Sequence, residues 1–323
     1  MIGQWANRVM LAAVLIGLSP PHEAHSQTGK VWRMGLCHVG LDHEPPSLHP
    51  LKEELARRGY VDGRNLVFDW SNQATEATAD IQIRDWLAKN YDLIVAFEDQ
   101  CVRAAKAATS SIPIVFAHTS DPVQAGFIKS LSQPGGNITG PISNPILIGK
   151  LVEILKRFDP QLRRVLVLND HHDHSSPELA RRAAEALGVK TVERYTTSAT
   201  EVERAFAELK VGEVGGVIVA SNDLRTNFMT PVLAAAERAG VPVAAHRKAW
   251  VEGGALFSYS TDYAAAGPVA ARYVDEIFKG AKPSDLPAEE MSKISLIINL
   301  TAAKRFGLAV PPDILVQAEE VIE

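Results

Sequence analysis

Short runs of β-branched and apolar residues alternate with amphipathic stretches along this chain, and that alternation constrains its fold more than any other feature. The first runs are Trp32–Val39, Asn65–Trp70, Leu93–Phe97 and Ile114–Ala117. Each is followed by a stretch with helical spacing of its apolar residues, at Leu48–Arg58, Asp80–Lys89, Gln100–Thr109 and Gln124–Leu131. Strands linked by helical crossovers lie parallel, and a parallel sheet must be covered by helices on both faces. The rhythm breaks at Pro134-Gly135-Gly136-Asn137, a turn-forming cluster that leads into a short strand over Ile138–Ile142.

A second series follows. It reads as a helix over Ile146–Arg157, a strand over Arg164–Leu168, a helix over Glu178–Leu187 and a strand over Thr191–Tyr195. Next come a helix over Glu201–Leu209, a strand over Gly216–Ala220, a helix over Phe228–Ala239 and a strand from Val241 to Ala245. Leu179, Ala183, Ala186 and Leu187 share one helical face. The expected fold class is therefore α/β, with two doubly wound parallel-sheet lobes joined by a hinge near 136–145. Further connections are expected to cross near Ser258–Asp262 and Leu286–Lys293. The expected limits are 27–142 plus 262–288 for lobe 1 and 143–261 plus 289–323 for lobe 2.

Length and charge narrow the function. A chain of 323 residues holds two domains at roughly 150 residues each. Its 33 Lys+Arg against 38 Asp+Glu leave a net charge of −5. No basic block stands out locally, so nucleic acid is not expected as a partner. Residues 1–26 read as a cleaved secretory signal: Arg8, an apolar core from Met10 to Leu18, the break at Pro20-Pro21, and Ala24-His25-Ser26 before Gln27. The apolar core is about half of the roughly 20 residues that a spanning helix needs, and no cysteine follows it to carry a lipid. Export to the periplasm is the expected localisation. Cys37 and Cys101 would then meet an oxidising compartment, which permits a disulfide; the sequence leaves that bond and two free thiols both open.

In open parallel sheets small molecules bind beyond the carboxyl ends of the strands. The candidate ligand-binding residues at those places are Phe97, Glu98, Asp99, Thr119 and Asp121 in the first half. Asn169, Ser221, Asn222, Asp223 and His246 are their counterparts in the second. Hydroxyl and amide side chains there can cap the next helix or bind a ligand carboxylate, and Asp or Glu can pair with a ligand ammonium. Phe97 or Trp250 can stack on an apolar part of a ligand or simply pack in the core. His38, His43, His49, His118, His171, His172, His174 and His246 fall in or near these loops. Their spacing matches no recognised metal motif, so contact with an organic ligand is expected and neither metal nor cofactor is. No nucleophile elbow, phosphate loop or His-Glu-x-x-His motif occurs in the sequence. An enzyme is not the expected reading.

Several segments also carry a family resemblance. They include Arg58-Gly59-Tyr60-Val61-Asp62-Gly63-Arg64-Asn65-Leu66, Ser111-Ile112-Pro113-Ile114-Val115-Phe116 and Thr119-Ser120-Asp121-Pro122-Val123. Gln133-Pro134-Gly135-Gly136-Asn137-Ile138-Thr139-Gly140 and the run Tyr273–Asp313, with Lys279-Gly280-Ala281-Lys282-Pro283 and Ile298-Asn299-Leu300, belong with them. Over nearly all of residues 31–323 the chain resembles the ABC-transporter substrate-binding protein family that includes bacterial tryptophan- and other aromatic-amino-acid-binding members.

The resemblance implies a type I periplasmic-binding fold with three crossovers between lobes. It also implies hinge closure on a small-molecule solute of the amino-acid or aromatic class. Delivery would be to an ABC permease in the inner membrane, powered by a separate ATPase, by a protein expected to be a monomer. The alternative is a periplasmic sensor that presents its closed form to a membrane sensor kinase. Ligand contacts are implied for the loops Phe97–Gln100, His118–Asp121 and around Ser221–Asp223. The chain departs from the family at Phe97-Glu98-Asp99, where small Gly, Thr or Pro residues are usual, at His171-His172-Asp173-His174, and at Ala245-His246-Arg247. An acidic, bulky side chain at the first of these disfavours a ligand carboxylate at that point.

Overall fold

The computed structural model describes residues 30–40, 44–119, 121–143, 147–171, 175–220, 224 and 228–323. The expected signal at 1–26, the candidates Ser221, Asn222 and Asp223, and His172–His174 lie outside the described residues. Strands β1 (Trp32–Val39), β2 (Leu66–Gln73), β3 (Leu93–Phe97), β4 (Ile114–Ala117) and β5 (Ile138–Thr139) form the first sheet. Its order is β2-β1-β3-β4-β5, parallel throughout. Helices α1 (Leu48–Arg57), α2 (Glu76–Ala88) and α3 (Glu98–Ala108) cover it.

Sequence explains these helices locally. Leu48, Leu51 and Leu55 recur at helical spacing and are the buried face of α1. The Thr75 side chain accepts from the Thr78 backbone N–H while the Thr78 side chain accepts from Thr75 N–H, a reciprocal cap that starts α2. One sheet face buries Met34, Leu36, Leu93 and Val95 against α1; the other buries Ile94 and Ala96 with Ile83, Trp86 and Val102.

Two expectations for this half are corrected. No helix forms at Gln124–Leu131: residues 122–126 run through turns and 127–129 through bends. Gly126 stands at φ +71°, which a right-handed helix cannot continue through, and Phe127 and Ile128 sink into the core that a helix would have covered. The expected strand Ile138–Ile142 is split into β5 and β6 (Pro141–Ile142). Gly140, between them, has φ +153°, and a Cβ there would lie 2.2 Å from the Phe116 carbonyl oxygen. Only glycine allows the chain to leave β4 so closely.

Beyond β6 come helices α4 (Leu147–Phe158), α5 (Ser175–Ala186), α6 (Ala199–Ala207), α7 (Met229–Ala239) and α8 (Lys248–Glu252). They surround strands β7 (Arg164–Asn169), β8 (Lys190–Tyr195), β9 (Val217–Val219), β10 (Val243–Ala245) and β11 (Phe257–Thr261). After α9 (Ala266–Phe278) and β12 (Glu289–Glu290), strand β13 (Ile294–Asn299), helices α10 (Leu300–Arg305) and α11 (Pro312–Gln317), and strand β14 (Glu320–Ile322) end the chain. The second sheet runs β14-β13-β11-β10-β9-β7-β8. Its pairs are parallel except β11 with β13, so an antiparallel strand joins a sheet otherwise of the expected type.

Both sheets belong to one unit, Val31–Glu323, and the chain passes between them three times: after β6, after β11 and after β12. The last two passages run side by side. Asp262 N–H donates to the Lys293 carbonyl at 2.8 Å, and Lys293 Nζ donates to Asp262 Oδ2 at 2.7 Å. Between them α9 returns to the first sheet, where Ala270, Ala271 and Val274 share a core with Met34, Leu36 and Leu55. A disulfide joins Cys37 of β1 to Cys101 in α3, with Cα atoms 5.9 Å apart, which settles the two readings left open by the sequence.

Candidate functional site

Strands β1, β3 and β4 are neighbours, so the residues at their carboxyl ends fall side by side: His38, then Phe97 and Glu98, then His118 and Thr119. Glu98 (φ +66°) and His118 (φ +67°) both sit in the left-handed region, an uncommon and costly place for residues with a Cβ. Their side chains meet. His118 Nδ1 donates to Glu98 Oε1 at 3.0 Å, which leaves Nε2 to accept the Ser47 hydroxyl at 2.8 Å.

The same carboxylate oxygen accepts from Arg247 Nη2 at 2.6 Å. Arg247 stands just past β10, so this ion pair runs from the tips of one sheet to the tips of the other. Glu98 is 1% exposed, His118 0% and Arg247 4%. The Arg247 guanidinium also lies over the Tyr263 ring, 4.8 Å from its centroid, and His118 meets that ring edge-on at 4.9 Å. Tyr263 belongs to the second passage between the sheets.

The electrostatics follow from burial and pairing. Burial alone would push the Glu98 carboxyl up, but Arg247 and the His118 hydrogen bond outweigh it and hold it well below the usual carboxylate range. Burial likewise pulls Arg247 down, and Glu98 with Tyr263 more than compensates, so its guanidinium is raised. His38 is pushed down to about 4, chiefly by burial, with Glu98 opposing and Arg247 reinforcing. Its Nδ1 donates to Asn72 Oδ1 at 3.1 Å, across the β1–β2 register that pairs the two residues.

The order Ser47–His118–Glu98 is that of an acyl-transfer relay. Ser47, however, is 1% exposed at the residue before α1, and the acid is shared with a guanidinium. The arrangement holds two sheets together.

Among the sequence candidates, Glu98 lies at the centre of this network. Phe97 is fully buried among Met34, Val95 and Val115, edge-on to Trp70 with ring centroids 6.0 Å apart. Trp250, the other aromatic considered, packs with Val232 and Ala245 in the core of the second sheet. Asp99 is half-buried in the first turn of α3. Asp121 Oδ1 accepts from Gln124 N–H at 2.9 Å and so braces the turn that replaces the expected helix. His246 is buried, tilted against Trp250 with ring centroids 6.1 Å apart.

Thr119 and Asn169 are fully buried, and Thr119 Oγ1 and Asn169 Oδ1 have no hydrogen-bond partner among the described residues. Each has a companion in the same condition. Ser143, whose N–H donates to the Thr119 carbonyl at 2.8 Å, has an unpartnered Oγ; Thr196, whose N–H donates to the Asn169 carbonyl at 2.8 Å, has an unpartnered Oγ1. Buried polar atoms of this kind ask for a partner.

Sequence reasoning placed His118 and Arg247 in strand-end loops without choosing them. The available signal was an acid at a strand end of the first series and a base at a strand end of the second. Ser47, Ser143, Thr196 and Tyr263 gave no local signal. A cavity of about 310 Å³ lies beside Arg247, at the seam between the sheets, with Pro46, Ser258, Ser260, Tyr263 and Ile297 among its walls. No group of three or more His, Cys, Asp or Glu able to hold a metal ion occurs among the described residues, and no described helix is long and apolar enough to cross a membrane.

The chain is similar to known proteins in sequence and in fold. The sequence profile of the family described as ABC transporter substrate binding protein matches residues 41–322. A tyrosine-binding protein of Clostridioides difficile is 29% identical over 273 residues, which is 82% of this chain and 79% of that protein. Among solved structures, an ABC domain in complex with L-Trp from Streptococcus pneumoniae superposes with a TM-score of 0.81 at 24% identity, covering 90% of this chain and 99% of that one. The ligand-free, open structure of a substrate-binding protein with adhesive properties from Clostridium difficile gives 0.67 at 27% identity, covering 90% and 99%.

Proposed function

Because the chain belongs to the ABC transporter substrate-binding protein family, we propose that it captures a small polar or aromatic solute between its two lobes and delivers it to an ABC importer. The observation that carries this reading is the meeting of strand tips from both sheets through Glu98 and Arg247, with unpartnered hydroxyl and amide oxygens nearby. Lobes that touch through buried polar groups are the closed arm of a hinge equilibrium, which a solute bridging both lobes would favour. The lower score against a ligand-free, open relative accords with a closed arrangement.

The names of the relatives support an amino acid of the aromatic class as the solute. Export by cleavage of residues 1–26, a periplasmic location, a permease partner and action as a monomer belong to the same proposal. So do the lobe limits of 27–142 plus 262–288 and 143–261 plus 289–323, and a ligand-contact set drawn from the candidates named in both lobes.

Thermal unfolding in the presence of single solutes tests the reading. A solute at a hundred times its Kd adds about 2.7 kcal/mol of stability. L-Tyrosine or L-tryptophan is expected to raise the melting temperature, and a pentose is not. A panel of amino acids and aromatic acids that leaves the melting temperature unmoved would overturn the proposal.

A further inference from the structure

An acid on one lobe and a base on the other are the two groups that a zwitterionic solute would be expected to bridge, with its ammonium on Glu98 and its carboxylate on Arg247. Here the two groups hold each other at 2.6 Å, both buried. Each is also fixed from behind. Glu98 Oε1 takes the His118 N–H, and His118 is pinned by Ser47 at 2.8 Å. Arg247 lies on the face of Tyr263, whose edge is set by the same histidine. The left-handed backbone at Glu98 and His118 is a cost borne to aim these two side chains at one point. Four other oxygens around the strand tips have no hydrogen-bond partner among the described residues, Thr119 Oγ1, Ser143 Oγ, Asn169 Oδ1 and Thr196 Oγ1, and these four are neutral.

We propose that the Glu98–Arg247 ion pair is the protein's own closing contact between the lobes, and that neither charge grips the solute. The inference rests on the solute-binding reading above and deepens it. The pair supplies the inter-lobe attraction itself, so the solute need not carry a carboxylate for Arg247 or an ammonium for Glu98. Thr119, Ser143, Asn169 and Thr196 then offer hydroxyl and amide groups that read hydrogen-bonding shape.

Two measurements test this on the purified protein, with Glu98→Gln, Arg247→Met and the double variant compared with wild type. The first is small-angle scattering without added solute. Each single variant is expected to give a larger radius of gyration than wild type, and the double variant to match the singles, since either change removes the whole contact. Wild type and Arg247→Met scattering alike would overturn the proposal. Circular dichroism on each variant separates opening from unfolding.

The second is titration calorimetry with L-tyrosine and L-tyrosinamide, which differ at the carboxyl group. Each variant is expected to weaken both compounds by one common factor, about tenfold or more, and to leave the ratio between them unchanged. Arg247→Met weakening L-tyrosine tenfold more than its amide would show the guanidinium gripping the carboxylate and would overturn the proposal. If neither compound binds wild type while the variants scatter as expected, the choice of solute in the functional reading fails and the closing contact stands.

Discussion

The two lobes meet through strand tips built in different ways. At each strand-tip end a pair of oxygens has no partner among the described residues, Thr119 with Ser143 where the chain leaves the first lobe and Asn169 with Thr196 on the second. What stands beside them differs. On the first lobe Glu98 and His118 take left-handed backbone, His38 is tied to Asn72, and a disulfide fastens β1 to α3 one turn from Glu98. On the second, Arg247 stands in relaxed extended backbone at φ −145° and ψ 144°. The strained conformations thus lie on the lobe with the covalent and hydrogen-bonded bracing that keeps them in place. One lobe is a preformed platform, and the other brings a long, adjustable side chain to it.

The sharpest way to break that contrast is to remove the bracing. Replacing Cys37 and Cys101 together by alanine opens a link spanning 64 residues, and urea unfolding is expected to show a loss of about 3–4 kcal/mol. A loss below about 1 kcal/mol would mean that the first lobe holds its tips without the bridge.

The next largest effect is one of pH. His38 titrates at about 4 in the folded protein against about 6.5 in an unfolded chain, so between those values the unfolded state binds a proton that the native state refuses. The contribution is fully present above about pH 6.5 and is lost as pH falls to about 4, for a total of about 3 kcal/mol. Glu98, whose folded value is also depressed, adds its own loss only below the ordinary carboxylate value of 4.5. Urea midpoints at pH 7 and pH 5 are expected to differ in wild type and to draw together in His38→Gln. An unchanged difference would assign the slope to another group.

The smallest effect probes what the lobes share. Thr119→Val and Thr196→Val delete one unpartnered oxygen on each side while conserving shape, and stability is expected to stay within about 0.5 kcal/mol of wild type. Solute affinity, read by titration calorimetry, is expected to fall about fivefold in each, the value of one hydrogen bond. Two variants that bind as wild type would move the solute away from these tips.

Much of the fold could be read from the chain, because strands β3, β4, β7, β9 and β10 are short apolar runs with helical stretches between them. The reading failed where local pattern and tertiary demand part. Phe127, Ile128 and Leu131 imitate a helical stripe, but Gly126 turns the chain and the same side chains fill the core from a loop. Strand β13 runs antiparallel because the chain re-enters the second sheet from a crossover, a direction that no residue within Ile294–Asn299 encodes.

The site was legible as a class of positions. Strand ends are visible in sequence, so Glu98, Thr119, Asn169 and His246 can be placed there from the chain alone. The pairing was hidden: Arg247 lies 149 residues from Glu98, and the two meet only because β3 and β10 end opposite each other. Ser47 and Tyr263 join through packing between distant elements, which leaves no pattern in a single chain.

The placement of α9 has a bearing on how such a protein can be made. Its residues 266–278 seal a core that begins at Met34 and Leu36, so the first lobe is finished only after most of the second has been synthesised. A nascent or truncated chain that stops before residue 278 leaves an oily flank of β1 in water, and with it the strand that presents His38. Assembly therefore cannot proceed lobe by lobe from the amino terminus; the earliest part of the chain must wait for one of the latest.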